Sequence, residues 1–309
     1  MSGIPVWFDT DIGVDDAAAL LVLGKLEQVE VKGISAVAGN VPLYHTYDNA
    51  RRVSQLIGLS VPVYKGADKP LFKELEAAAN VHGENGLGGV ELPPSQAPET
   101  TEAAWDALYR AAVEAGGALE VVAVGPLTNL AIAIGKYPRL KTLIRRILIM
   151  GGAAKGGNVT PSAEFNIYVD PHAAQMVFQS GIPVVMCGLD VTHRAYLTAE
   201  ELAEIGSHDT PVCRFFRDST EALLRFHEER GESGIILHDI CPVLFLTHPQ
   251  VFQGQEAGVF VETRGTITNG KTVTDLWSDK EFPVKNTFVV LDVDRPAFVS
   301  LVQDAIESY

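Results

Sequence analysis

The sequence predicts an α/β protein: a single domain, residues 1–309, with a mostly parallel central sheet flanked by helices and a C-terminal β-hairpin. Three observations carry that expectation. Short β-rich apolar runs alternate with amphipathic stretches for most of the length, which is the order of βαβ units. The runs are continuously apolar instead of alternating, as strands covered on both faces are. No internal repeat and no linker-like stretch divides the chain.

The first strand, Ile4–Phe8, runs straight into Asp9-Thr-Asp-Ile-Gly-Val-Asp-Asp16. Gly13 permits a sharp turn there, and the apolar helix Ala17–Leu26 follows. Strand Val31–Val37 leads through Gly39-Asn40 to the amphipathic helix Tyr47–Ile57, and Val61–Tyr64 is the third strand. Glu76–Pro98 is irregular, with four glycines between His82 and Gly89 and three prolines from Pro93 to Pro98. A loop of that length is either a functional lid or plain surface. Helix Thr101–Ala115 precedes strand Leu119–Val124, and helix Leu127–Lys136 precedes strand Arg146–Met150. Helix Pro171–Gln179 then leads into strand Val184–Cys187. Phe215-Phe216, Leu223-Leu224 and Phe226 form one apolar helix face, hence packing. Val259–Thr268, Asn269-Gly270 and Lys271–Leu276 read as the hairpin, because Asn-Gly favours a tight turn.

Composition excludes several classes. With 47% hydrophobic and 20% charged residues the chain can bury a sizeable core and is not disordered. A net charge of −15 argues against a nucleic-acid partner, which would need a basic surface. No apolar stretch is long enough to span a bilayer, and no signal-type segment opens the chain. Cys187, Cys213 and Cys241 lack CxxC spacing and cannot all pair, so reduced thiols in a cytoplasmic protein are expected.

Asp9, Asp11, Asp15 and Asp16 place four carboxylates within eight residues at the end of a buried strand. Such a cluster repels itself unless a cation or a pKa rise absorbs the charge. Asp15 and Asp16 also stand where a helix begins, so capping of a solvated turn is the competing reading. A cap needs one acid, and the surplus favours a cation site. The hard oxygen ligands suit Ca²⁺ or Mg²⁺ better than zinc. Further polar residues follow the later strands: Gly39-Asn40, Gly125-Pro126-Leu127-Thr128-Asn129 and Met150-Gly151-Gly152. In an open parallel sheet these positions share one rim, where ligands bind.

Asp9–Asp16 closely resembles the N-terminal DxDxxxDD motif of the inosine–uridine-preferring nucleoside hydrolase family. The likeness continues in order through Ala38-Gly39-Asn40, Gly125–Ala131, Met150-Gly151-Gly152, Glu164-Phe165-Asn166 with Asp170-Pro171, and His238-Asp239, and it covers essentially the whole chain. The resemblance implies a single α/β domain, hydrolysis of the N-glycosidic bond of ribonucleosides, one tightly bound Ca²⁺ per chain, and a homodimer or homotetramer. It implies Asp11, Asp16, Asp239 and the Thr128 carbonyl as Ca²⁺ ligands, with Asp11 also the general base for a calcium-bound water. Asp15, Asn158, Glu164 and Asn166 resemble the ribose-hydroxyl partners, and Asn40 supports the same rim. Met150 resembles the apolar contact under the sugar, while His82 and His238 stand on the nucleobase side, His238 as a candidate acid.

The chemistry suits these residue types. Glycosidic cleavage develops oxocarbenium-like positive charge on the ribose, which carboxylates and amide oxygens stabilise where it forms. A departing base needs a proton or strong hydrogen bonds, which histidine supplies near neutral pH. His45, His172, His193, His208, His227 and His248 read as surface or structural. Leu224–Leu237 is unusually charged for a segment that covers the base in the family, and Phe226 and Arg230 fall in that region. Two other readings compete. A phosphotransferase of the haloacid-dehalogenase type would share Asp-x-Asp but needs a later Ser/Thr, Lys and acidic pair, for which no counterpart is found. A catalytically silent nucleoside or pentose binder would share the rim without turnover.

Overall fold

A computed structural model describes residues 3–229, 234–277 and 284–309, and it sets the first strand in the interior of the sheet. In chain order the strands are β1 (Ile4–Thr10), β2 (Val29–Ala36), β3 (Val63–Lys65), β4 (Leu119–Ala123), β5 (Ile144–Met150) and β6 (Val184–Cys187). They continue with β7 (Tyr196–Thr198), β8 (Gly234–Ile236), β9 (Phe252–Val261), β10 (Thr272–Asp275) and β11 (Thr287–Val293). Among the described residues a nine-stranded sheet has the order β3-β2-β1-β4-β5-β6-β11-β9-β10. Every pairing from β3 across to β11 is parallel. β9 runs antiparallel to both β11 and β10, and β7 and β8 form a separate antiparallel ribbon.

The continuous apolar strands are explained by the two layers they meet. In β1 the side chains alternate between faces: Val6 and Phe8 enter one hydrophobic cluster with Leu20, Leu21 and Phe298. Trp7 enters the other, with Leu108, Leu130 and Phe178. Helices on both faces exclude water from Val6 through Thr10. Because β1, β2, β4, β5 and β6 are parallel, their carboxyl ends share one edge of the sheet, and the segments that follow them converge there.

Several elements differ from the expectation. The first helix is Val14–Leu23, not Ala17–Leu26, so Asp15 and Asp16 lie in its first turn. Gly13 is its N-cap with extended backbone (φ −100°, ψ −165°). The glycine is therefore needed for space, since a Cβ there would lie 2.6 Å from His82 Nδ1 and 2.7 Å from Asn40 Nδ2. The C-terminal antiparallel strand pair exists, but Asn269-Gly270 does not join its strands as a two-residue turn. Thr272 pairs with Val261, and Glu262 to Lys271 form the connection. A type I′ turn needs positive φ at both central residues, yet among the described residues only glycines, Gly270 included, take positive φ. Gly270 instead donates to Glu262 O at 2.7 Å, and Lys271 N to Thr268 O at 2.9 Å. The helix face expected from Phe215 to Phe226 falls on the helix Pro211–Glu228, while β11 and the helix Arg295–Glu307 were not anticipated as elements.

Glu76–Pro98 is not a loose flap. Its short helix Ala79–His82 starts after Ala78, whose amide donates to Asn40 O at 2.9 Å. Farther along, Asn49 Nδ2 donates to Asn85 O at 2.7 Å and Arg52 to Leu92 O at 2.6 Å. The helix Leu43–Leu56 thus ties the segment down beside the rim. The three cysteines are buried and free. Among the described residues no helix is long and apolar enough to cross a membrane.

Candidate active site

β1 delivers Asp9 and Asp11 to the rim, and the first turn of the following helix delivers Asp15 and Asp16. Asp16 is the most constrained. Its Oδ1 accepts from Thr10 Oγ1 at 2.5 Å and Asp11 N at 3.2 Å. Its Oδ2 accepts from Gly13 N at 2.8 Å and Asn40 Nδ2 at 3.1 Å. Asp11 Oδ2 accepts from Asn40 N at 2.7 Å, while Asp11 Oδ1 is buried without a hydrogen-bond partner. Asp9 Oδ1 accepts from Ser35 and from Asn129 Nδ2, the latter at 2.8 Å. β2 and the helix that follows β4 are thereby tied to β1 through the Asp9 carboxylate.

Above these acids lies a cavity of about 620 Å³, lined by Asp15, Asn40, His82, Met150 and Asn158, and by Glu164, Asn166, His238 and Asp239. The structure thus brings every rim residue expected on the substrate side into one cavity. Asp11, Asp16 and Thr128 lie below its surface, each at most 1% exposed. Thr128 opens the helix Thr128–Lys136, and its hydroxyl donates to Asp170 Oδ2 at 2.9 Å.

Glu164 caps the helix Phe165–Val169. Its carboxylate accepts from the amides of Asn166 (2.9 Å), Gly152 (2.8 Å) and Ile167 (3.2 Å). Asn166 donates through Nδ2 to Val124 O at 2.8 Å and Met150 O at 3.1 Å, which commits its donor group to the ends of β4 and β5. Asn158 Oδ1 accepts from Phe165 N at 3.0 Å. The loops after β4 and β5 are thus stitched together beneath the cavity by amide side chains.

Burial dominates the electrostatics. It pushes Asp9 up to about 7 against its hydrogen bonds from Ser35 and Asn129, Asp15 to about 6 and Glu164 to about 7. Asp11 and Asp239 are raised well above the carboxylate range by burial, and then by neighbouring aspartates. Burial lowers His82 to about 4. It lowers His238 to about 3, helped by His193, His227 and His82. At both rings burial thus disfavours the charged imidazolium.

Carboxylate oxygens of Asp15, Asp16 and Asp239 lie within 4.8 Å of one another, and Asp11 Oδ1 and Asp15 Oδ1 are buried and unpartnered. Like charges this close, with acceptors left unsatisfied, are the arrangement of a site completed by a cation. The all-oxygen set fits a hard divalent ion. This trio holds Asp15, where the resemblance implied Asp11 beside Asp16 and Asp239.

Two cavity residues, His193 and His227, were read from sequence as surface or structural. His193 follows β6 at the same rim as the other strand-end residues, and that position was the available signal. His227 lies in the last turn of the helix Pro211–Glu228, whose Leu223 also lines the cavity. Nothing local in the sequence marks it. Phe226 belongs to that helix, but its side chain and Arg230 lie outside the described residues.

A parallel sheet whose carboxyl rim gathers carboxylates and amides around a small cavity is built as a site for a small polar ligand. The comparisons with known proteins agree. A family model described as inosine-uridine preferring nucleoside hydrolase matches residues 6–300. The chain is 42% identical to the pyrimidine-specific ribonucleoside hydrolase RihA of Citrobacter koseri over 313 residues, 99% of each chain, and equally to that of Salmonella typhimurium. A purine-preferring ribonucleoside hydrolase from Gardnerella vaginalis superposes with a TM-score of 0.93 at 34% identity over 98% of both chains. A plant nucleoside hydrolase does so at 0.93 and 30% over 99%. The chain therefore belongs to the inosine-uridine preferring nucleoside hydrolase family, N-glycosyl hydrolases that act on ribonucleosides.

Proposed function

We propose that this chain hydrolyses pyrimidine ribonucleosides to ribose and free base in a calcium-dependent reaction in which Asp11 is the general base. The observation that carries the reading is the Asp11 carboxylate, oriented through Oδ2 by the Asn40 amide and left with a buried, unpartnered Oδ1 beneath the cavity. Such an oxygen can take the proton of an attacking water.

Asp11, Asp16, Asp239 and the Thr128 carbonyl would hold the Ca²⁺. When bound, it would orient the ribose diol and acidify a neighbouring water. Asp15, Asn158, Glu164 and Asn166 then take the ribose hydroxyls, while Asn40 supports the same rim. Met150, whose Sδ is 3.5 Å from Asn166 Nδ2, gives the sugar an apolar floor. As the glycosidic bond stretches, the surrounding carboxylates stabilise the positive charge on the sugar. His82 and His238 face the leaving base as hydrogen-bonding groups. Pyrimidine preference is supported by the 42% identity to enzymes named pyrimidine-specific, which exceeds the 34% to the purine-preferring one. A cytoplasmic homodimer or homotetramer completes the reading.

The test is a kinetic panel of uridine, cytidine, inosine, adenosine and guanosine, with metal analysis of the purified protein. The expected kcat/KM for uridine and cytidine is at least ~10-fold above that for purines, with about one Ca²⁺ per chain. A reversed order would overturn the base preference alone. Release of ribose from none of the five would leave the silent binder. Zinc, or full activity after exhaustive chelation, would overturn the calcium assignment.

A further inference from the structure

We infer that Thr192 is a positioning residue for His238: its hydroxyl donates to Nδ1 and places the ring hydrogen on Nε2, a hydrogen-bond donor toward the leaving base. The inference rests on the base-side reading of His238 given above and adds the residue that sets its proton.

Thr192 ends the short helix Leu189–Thr192, which follows β6 at the substrate rim. It is fully buried. Its Oγ1 lies 2.8 Å from His238 Nδ1, and this is the hydroxyl's one hydrogen bond among the described residues. The polarity of that bond follows from accounting for donors. A hydroxyl carries one proton to give and lone pairs that accept. Were Nδ1 to carry the hydrogen, Thr192 would accept and its own O–H would be buried with nothing to receive it, a penalised arrangement. With Thr192 as donor, every group in the pair is satisfied.

Nδ1 is then the acceptor, and the ring hydrogen must sit on Nε2, the nitrogen left for the cavity that His238 lines. A leaving nucleobase accumulates negative charge on its ring nitrogen and carbonyl oxygens, so it needs a donor there. The opposite tautomer would offer it a lone pair. His193, next in the chain, sets its ring edge-on to His238, with centroids 5.9 Å apart and planes at 60°. The short helix therefore holds the imidazole through a hydrogen bond at Nδ1 and a ring contact.

The tautomer can be read directly in unmodified protein. With ¹⁵N-labelled histidine and the His238 resonances assigned by their loss in His238→Gln, Nε2 should be the protonated nitrogen and Nδ1 the bare one. A protonated Nδ1 would overturn the inference without any variant having to fold. Kinetics tests the consequence. Thr192→Val, which keeps shape and removes the hydroxyl, should cut kcat on uridine and inosine by more than ~10-fold and by up to the ~10⁴-fold that a wrong-tautomer histidine costs in a serine protease. A p-nitrophenyl riboside, whose leaving group needs no donor, should stay within about twofold of the unaltered enzyme. Thr192→Ser should restore the nucleoside rates. Equal losses on both substrate types would mean that Thr192 is merely structural and would overturn the inference. His238→Ala separates the two levels. If it changes the nucleoside-to-nitrophenyl ratio and Thr192→Val does not, only the role of Thr192 falls. If His238→Ala slows both substrates alike, the base-side reading of His238 falls, and the nitrogen spectrum still decides the tautomer.

Discussion

The Asn40 amide donates to Asp11 Oδ2 at 2.7 Å, so a residue after β2 aims a carboxylate at the end of β1. Asn40 reaches the neighbouring acid too, with its side chain 3.1 Å from Asp16 Oδ2. One residue thus orients two acids that face each other's charge, which a single strand end could not do alone.

Asp11→Asn keeps the shape of the side chain and removes its basicity. Turnover on any nucleoside substrate should fall by ~10²–10⁴-fold, the usual contribution of a general base. Melting of the cation-free variant should occur no lower than that of the unaltered chain, because one member of a repelling buried cluster is gone. Turnover within a few-fold of the unaltered enzyme would remove Asp11 from the mechanism.

Cation-free protein should lose stability as pH rises. Burial holds Asp9, Asp15 and Glu164 at about 7, 6 and 7 in the folded chain, whereas the same groups ionise near pH ~4 when unfolded. Between those limits the folded state binds more protons than the unfolded one, so the stability contributed below pH ~4 is lost as pH climbs toward about 7. Calorimetry in chelator should show a falling Tm over that window, and excess Ca²⁺ should flatten it by binding the folded state. Identical slopes with and without Ca²⁺ would refute the coupling between the acids and the ion.

Gly125→Ala tests how tightly the loop after β4 closes on the base. A Cβ there would lie 2.5 Å from Asp11 Oδ1, so the carboxylate must move. Because a misplacement of about 1 Å can cost ~100-fold, kcat should drop by that order while the circular-dichroism spectrum is kept. Unchanged kcat would show that Asp11 has room the packing does not suggest.

Asp170→Ala should weaken the fold more than its distance from the acids suggests. Its carboxylate accepts from Leu71 N at 2.8 Å, Thr128 Oγ1 at 2.9 Å and Ala173 N at 3.0 Å. Losing a helix cap together with one buried and one part-buried hydrogen bond should cost about 3 kcal/mol by urea unfolding. A loss under about 1 kcal/mol would mean that water replaces the carboxylate.

What could be read from the chain alone was whatever local chemistry specifies. Continuous apolar runs such as Leu119–Val124 announce a strand buried on both faces, and the surplus of acids from Asp9 to Asp16 announces a charge problem that needs an external answer. The short strands β7 and β8 were not legible, nor was β11, because their positions are chosen by pairing partners distant in sequence. Asn269-Gly270 misled for the same reason: the pairing of Thr272 with Val261 made it one corner of a longer loop. Only the tertiary structure placed His193 beside His238 and His227 against the cavity, and only it showed Gly13 to be a matter of space. Local sequence sets backbone preference and the supply of functional groups. Which groups share a cavity, and which are stripped of water there until their proton affinities shift, depends on contacts that the chain makes only when the whole sheet has assembled.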